Sequence, residues 1–222
     1  QKQQVKSPIG HVLEGDALIA QKKPELAVKA YERAIALNQN GQLITKLHGA
    51  LTQSGKGKEA DSRLAQWMKE HPADTLARMY VGQVNLANRQ YKAAIEQFQT
   101  VLKTEPKNAA ALNNLAFAYD QEKDPRALEH AEKAYQLAAD NPAIMDTLGW
   151  MLVEKGNTTR GLPLLQKASA LAPAEGEIRY HLVLGLIKSG DKVNARKELE
   201  QLLATGKAFP KIDEAKAMMK QL

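Results

Sequence analysis

Between Ala93 and Tyr119 the apolar residues fall into two rows at helical spacing, with a polar turn between them. Ala94, Phe98 and Val101 stand at i, i+4 and i+7 and so share one helix face. Thr104-Glu105-Pro106-Lys107-Asn108 then ends that helix, because proline lacks an N–H and pushes the preceding residue out of the helical region. A second row opens the next helix at Leu112, Leu115, Ala116 and Tyr119. If the same grammar recurs at fixed spacing, the chain is a repeat array, and its function lies on a surface and not in a catalytic pocket.

It does recur. A small residue opens the second helix of each unit at Ala27, Ala60, Ala94, Ala127, Gly161 and Ala195, at intervals of 33, 34, 33, 34 and 34 residues. Four residues on stand Tyr31, Leu64, Phe98, Ala131, Leu165 and Leu199, and three further on Ala34, Trp67, Val101, Ala134, Ala168 and Leu202. A loop proline closes three units, as Pro72, Pro106 and Pro173; Gln39, Ala139 and Lys207 replace it elsewhere. Upstream of these positions lies a second small residue, Gly15, Gly82, Ala116 or Gly149, so the two helices of a unit are expected to approach closely. His48 and Val183 break that rule, and His48 is expected to be a buried, hydrogen-bonded packing residue.

The turns inside the units are marked by Gly156-Asn157, Gly190-Asp191 and Asp124-Pro125, with Asp placed to cap and Pro to take the first helical position. Lys23-Pro24 does the same with a poorer cap. Pro163 is tolerable within the first turn of its helix and should otherwise kink it. After the last unit, Ile212, Ala215, Met218, Met219 and Leu222 repeat at helical spacing and predict a helix that caps the array.

This pattern resembles the tetratricopeptide repeat, a 34-residue helix-turn-helix motif. The resemblance covers nearly the whole chain, in units of about 8–40, 41–74, 75–108, 109–141, 142–175 and 176–208. It implies an all-α, right-handed superhelical solenoid, a single domain over 1–222, with a cap helix at 209–222. A narrower resemblance lies in Arg179-Tyr180-His181-Leu182, Ser189-Gly190-Asp191, Ala195-Arg196, the Ala215-Lys216 helix and Gly161-Leu162-Pro163-Leu164-Leu165. These are similar to the C-terminal part of repeat lipoproteins associated with exosortase (PEP-CTERM) systems of exopolysaccharide-producing Gram-negative bacteria. That likeness implies a periplasmic or outer-membrane-anchored protein whose lipidated Cys lies upstream; without it the cytoplasm stays open. The chain opens QKQQVKSPIG, without Met or signal peptide, and is expected to be a piece of a longer protein.

Composition changes this picture little. The hydrophobic share of 44% and charged share of 25% are those of a globular protein, and no apolar run is long enough to span a membrane. With no Cys, thiolate catalysis, disulfides and Cys-based metal sites are excluded. The net charge of +6 is spread among acids, so any membrane association is expected only through an anchor outside these residues. Lys188, Lys192, Arg196, Lys197, Lys207 and Lys211 make the C-terminal end basic, but Asp191, Glu198 and Glu200 interrupt them and no aromatic is interleaved, so nucleic-acid binding is not expected.

No P-loop, GxSxG, HExxH or DxDxDG motif is present. His11, His48, His71, His130 and His181 are dispersed without ligand spacing, and Glu175/Glu177 and Glu198/Glu200 point to different helix faces. No enzyme activity, cofactor or metal is expected. The informative surface is the inner face lined by the first helices. Its exposed positions read as Leu76, Met79, Gln83 and Leu86; Asn113, Phe117 and Asp120; Asp146, Trp150 and Val153; Tyr180, Leu184 and Ile187. Thr45, Gly49 and Thr52 make the second unit more polar. An exposed apolar and aromatic stretch marks a partner site. The expected function is a non-catalytic protein-interaction scaffold that holds a peptide or partner segment, with Trp150, Phe117, Tyr180 and Met79 as anchors and Asn113 and Asp146 orienting. A Trp150→Ala change is expected to weaken binding and leave the helical melt nearly unchanged. Thr45, Met79 and Asp146 stand where a carboxylate clamp would place cations, so acidic tails are disfavoured. An architectural spacer in an envelope assembly is the alternative, and a polysaccharide binder using Trp150, Tyr180 and Asp146 a further one.

Overall fold

The computed structural model describes residues 7–222. Among them are thirteen helices and no strand. They come in pairs, α1 (Ile9–Ala20) with α2 (Pro24–Leu37), α3 (Gly41–Gln53) with α4 (Gly57–Glu70), and α5 (Thr75–Ala87) with α6 (Tyr91–Thr104). Then follow α7 (Ala109–Gln121) with α8 (Ala127–Leu137), α9 (Pro142–Glu154) with α10 (Thr158–Leu171), and α11 (Gly176–Lys188) with α12 (Lys192–Ala204). The last, α13 (Ile212–Met219), stands alone. The chain divides into two compact units, Gln1–Val84 and Asn85–Leu222, the division falling within α5.

In the first unit each helix from α1 to α4 packs on the next. In the second, α6 to α13 pack consecutively, and contact also runs between first helices, α7 on α9 and α9 on α11. All the small and apolar positions read from the repeat register are core. Ala27, Ala60, Ala94 and Ala195 are fully buried, as are Phe98, Ala131, Leu165 and Leu199 four residues on. His48, expected in the core, is 5% exposed, with Nδ1 2.8 Å from the Tyr80 hydroxyl and Nε2 3.1 Å from Asp61 Oδ1.

The turn between the helices of a pair is the same in all six. One residue adopts positive φ, in turn Lys22, Gly55, Arg89, Lys123, Gly156 and Gly190. The next N–H then reaches back five residues, as from Lys23 to the Leu18 carbonyl and from Asp124 to that of Tyr119. This closure satisfies carbonyls that a helix end leaves free. A side chain in that conformation is strained, and three repeats carry a long cation there. Lys123→Gly is therefore expected to raise unfolding free energy by about 0.5–1 kcal/mol. A urea titration followed by far-UV circular dichroism measures it; a fall would show that the Lys123 side chain contributes more than its strain costs.

Two local readings need correction. Asp124-Pro125 does not open α8, which starts at Ala127; Asp124 instead accepts hydrogen bonds from the Arg126 backbone N–H and guanidinium, both at 2.9 Å, and Pro125 lies in the intervening turn. The guanidinium, and after it the backbone N–H, hold the Asp124 carboxyl down at about 2. Pro163 sits at the sixth position of α10, beyond the first turn, yet the helix continues from Thr158 to Leu171. Asp191 caps as expected, accepting from the Asn194 N–H at 3.1 Å, and Asn157 also caps, accepting from the Arg160 N–H at 3.3 Å.

At the C-terminus α13 packs on α12. Ala215 is fully buried, and Met218, Met219 and Leu222 close over the cluster that contains Tyr180, Val183 and Leu199.

Candidate functional site

Because first helices touch one another in the second unit, their common face is a continuous surface across α7, α9 and α11. On α7 the row Asn113, Phe117, Asp120 repeats at four and three residues and so lies on one side. Phe117 is 40% exposed, with the Tyr91 ring edge-on at 6.5 Å between centroids. Asn113 is half-buried, and its Oδ1 is a buried acceptor with no hydrogen-bond partner.

On α9 the half-buried Trp150 stacks on His181 of α11, the rings 5.0 Å apart and 10° from parallel. Lys188 stands with its ammonium 5.8 Å from the Trp150 ring centre. His181 Nδ1 also lies 2.8 and 3.0 Å from the two oxygens of Asp146. Trp150 thus has one face covered by the chain and packs against the same cluster that α13 caps. The expectation that Trp150→Ala would leave the melt unchanged is accordingly revised: the indole supports α11 as well as facing the surface.

Three positions of this unit read as exposed are not. Tyr180 is 4% exposed, packed on Phe209 with ring centroids 5.9 Å apart, its hydroxyl donating to Glu214 at 3.3 Å. The segment around α13 covers it, so burial, and then the Glu214 charge, push its phenol pKa up. Asp146 is 8% exposed because His181, one repeat on, folds over it. Val153, with 1% exposure, is core too. Leu184 and Ile187 are partly buried against that cluster. Of the sequence-derived positions in this unit, Asn113, Phe117, Asp120 and Trp150 keep accessible surface beside one another on α7 and α9, and Leu184 a part of it. Of the four on α5, Leu76 (49% exposed), Gln83 (exposed) and Met79 (half-buried) belong to the first unit, and the half-buried Leu86 to the second.

The repeat register gives no hint of Glu154 or of the partners of His181. Burial raises the pKa of Glu154, and the Asp120 charge adds to this, against opposition from Lys188, His181 and Lys155. Burial also raises that of Asp120, with Lys155 opposing. A carboxyl whose folded pKa lies above its unfolded one lends stability only below the ordinary carboxylate range and loses it as pH rises through the raised value. Both carboxylates therefore cost stability at neutral pH. The double variant Asp120→Asn, Glu154→Gln is expected to melt higher than the parent at pH 7 and level with it at pH 4. A lower melting temperature at pH 7 would show that the neighbouring lysines outweigh desolvation.

In the first unit the comparable inner-face polar groups are spoken for. Asp16 Oδ1 accepts from the Tyr31 hydroxyl at 2.7 Å and the Lys46 ammonium at 2.6 Å, and His48 bridges Tyr80 and Asp61. Among the described residues no group of three or more His, Asp or Glu could hold a metal, and no helix is long and apolar enough to cross a membrane.

Residues 11–40 and 82–142 match models of the tetratricopeptide repeat. Over those residues the chain carries tetratricopeptide repeats. A tetratricopeptide repeat-containing protein of Pseudomonas aeruginosa is 29% identical over 136 residues, covering 60% of this chain and 23% of that protein. The chain thus spans about a quarter of that relative's length. Among solved structures, a chain of the APC/C hetero-tetramer Cut9-Hcn1 is similar with a TM-score of 0.79 at 14% identity, over 98% of this chain and 43% of that one. A tetratricopeptide repeat protein of Parabacteroides merdae gives 0.74 at 13% identity, over 97% and 86%. Pseudomonas aeruginosa PilF gives 0.73 at 14% identity, over 95% and 97%. At these identities the likeness establishes the helix-pair solenoid fold, a scaffold on which protein interactions are generally built.

Proposed function

We propose that this protein is a non-catalytic scaffold that holds a segment of a partner protein along the first helices of its second unit, with Phe117 as the main anchor. One observation carries the reading. A large aromatic ring stays 40% exposed on an otherwise well-packed face, one helical turn from the half-buried Asn113. An exposed aromatic with a hydrogen-bonding neighbour is what a peptide anchor requires. Trp150 and Leu184 border it as partial surfaces. Tyr180 and Asp146 support it from beneath through α13 and His181. Leu76, Met79 and Gln83 offer the first unit a contact face of its own.

The test is selection of a displayed library of random dodecapeptides on the purified protein, followed by titration of the recovered peptides against Phe117→Ala. Affinity is expected to fall about tenfold or more, which is about 1.4 kcal/mol, with an unaltered thermal melt. Peptides that bind the variant equally well would move the site elsewhere. The setting inferred from the C-terminal run, a lipoprotein of an exopolysaccharide or exosortase-linked export system, rests on that resemblance alone. Labelling of the full-length precursor with radioactive palmitate in its own bacterium tests it, and no incorporation ends it.

A further inference from the structure

Asn113 on α7, Asp146 on α9 and Tyr180 on α11 hold equivalent positions in their repeats, and Tyr180 is covered from outside the repeats altogether. Phe209 lies against it with ring centroids 5.9 Å apart, and a Cβ on Gly176, one turn earlier on α11, would stand 3.0 Å from Phe209 Cγ. Gly176 and Tyr180 together form a seat for one aromatic ring, left open by the missing side chain of the glycine. Phe209 belongs to a strap, residues 205–211, that joins α12 to α13 without helix. It is the one residue of the strap that is not exposed. The backbone hydrogen bonds of this stretch join Thr205 to Leu202, Gly206 to Leu203 and Ile212 to Phe209, and none reaches α11. One ring therefore holds the strap down. The hydroxyl of Tyr180 adds a bond of 3.3 Å to Glu214, whose other oxygen accepts from Lys211 at 2.6 Å. α13 is fastened separately, by the fully buried Ala215 and by Met218 and Met219 on the cluster of Leu199 and Leu202.

Beside the ring a cavity of about 220 Å3 stays open between the strap and the first turn of α11. The seat is larger than the residue that fills it. Its rim sets Glu175 and Glu177 against Arg179 and Lys207, so charge favours an occupant of neither sign. We propose that Phe209 is an internal plug, and that an aromatic side chain of the partner segment takes its seat on Gly176 and Tyr180 where that segment reaches α11. The inference rests on the groove reading above and adds the class of residue that the α11 end selects. Exchange of one ring for another leaves Tyr180 covered, so the apolar surface uncovered on opening is covered again on binding. α13 stays on α12 throughout. A ring with a further apolar group behind it also fills the cavity, making contacts that Phe209 leaves unmade. The tether opposes the exchange, because it keeps Phe209 at a high local concentration beside its seat. A partner ring competes once the rest of its segment is anchored on Phe117.

Two measurements test the plug. A fluorescein-labelled peptide TGKAFPKIDE, which copies residues 205–214, is titrated by anisotropy against the parent and Phe209→Ala. It is expected to bind Phe209→Ala about tenfold tighter than the parent, since there the tethered competitor is gone. The same peptide with Ala in place of Phe should bind neither, and Gly176→Ala combined with Phe209→Ala should lose the peptide again. Equal binding to parent and Phe209→Ala, indifference to the peptide's ring, or binding that survives Gly176→Ala overturns the inference. So does a collapse of the thermal melt in Phe209→Ala, because the ring would then be core and not a plug. The second measurement uses the parent labelled with para-fluorophenylalanine, whose fluorine resonances come from Phe98, Phe117 and Phe209 and are assigned with Phe117→Ala and Phe209→Ala. A dodecapeptide recovered by the library selection is expected to shift the Phe117 resonance and to move that of Phe209 to the position of a solvent-exposed ring. If Phe117 responds and Phe209 does not, the plug is overturned and the groove stands. If neither responds, the groove reading and the inference fall together.

Discussion

Replacing Phe98 with Ala should lower the unfolding free energy by about 3–5 kcal/mol. Phe98 is fully buried in α6, between Ala94 and Val101, which are fully buried as well. It occupies the large-residue position of its repeat, where the next repeat has only Ala131. The ring therefore fills space that its neighbour along the array cannot fill. Its surroundings have little freedom to collapse, since α6 packs on α7 and α7 on both α8 and α9. Lost transfer energy and a residual cavity then add. A urea titration by circular dichroism reads the loss, with Leu137→Ala as a control, because Leu137 is 44% exposed and should cost about 0.5 kcal/mol or less. In a repeat array contacts run only between neighbours. Hydrogen exchange should accordingly speed up most in α6 and α7 and least in α12 and α13. A change below about 1 kcal/mol would mean that α6 and α7 close the gap by shifting together.

How much of the fold and of the candidate site is legible in the sequence depends on where each residue's partners lie. Ala94, Phe98 and Val101 meet partners within their own or the adjoining helix, so a 34-residue register places them correctly. Phe117 is legible for the same reason: one step beyond a core position on a first helix leads to the open face, and the ring keeps its exposure there. Tyr180 has the same apolar character and a neighbouring register position, but its cover is Phe209 and Glu214, outside the repeat altogether. A periodic reading has no position for such cover. Asp146 is misplaced for a similar reason, since its partner His181 lies 35 residues on, in the next first helix.

A signal for these links is nonetheless present in the chain. Two residues before the small position of a first helix, Lys46, Tyr80 and His181 each reach back to the previous first helix, across 30, 32 and 35 residues, to Asp16, His48 and Asp146. Complementary polar residues one repeat apart mark the seam between repeats. Applied to the amino-acid sequence alone, that pairing rule assigns Asp146 to the scaffold. No comparable signal exists for Pro163: the helix that tolerates it is held by tertiary packing, a non-local effect that overrides a local helix breaker.

Gly161→Ala is the second large effect expected, a net loss of about 2 kcal/mol, and its sign is the informative part. In an ordinary exposed helix the change from Gly to Ala gains about 1 kcal/mol of helix propensity. A Cβ on Gly161 would stand 2.6 Å from the Gly149 carbonyl oxygen, 2.8 Å from Val153 Cγ2 and 3.0 Å from the Val153 backbone nitrogen. Two of the three are backbone of α9 and cannot rotate away, so α9 and α10 must part, which costs about 3 kcal/mol of packing. Gly149→Ala meets one backbone atom, the Gly161 carbonyl at 3.0 Å, and at 3.1 Å the Leu164 Cβ and the Leu165 Cδ2, of which the latter can rotate away. Its loss should be the smaller of the two. A reversed order, or any stabilisation by Gly161→Ala, would show that the helices are not in contact through their backbones. Trp150 and Glu154 ride on α9, beside Gly149 and Val153 in sequence. Parting α9 from α10 therefore moves them against Phe117 and Asp120 on α7, and Gly161→Ala should weaken the peptides recovered by library selection even under conditions where the protein remains folded. A destabilised but equally tight-binding variant would place the binding face on α7 alone.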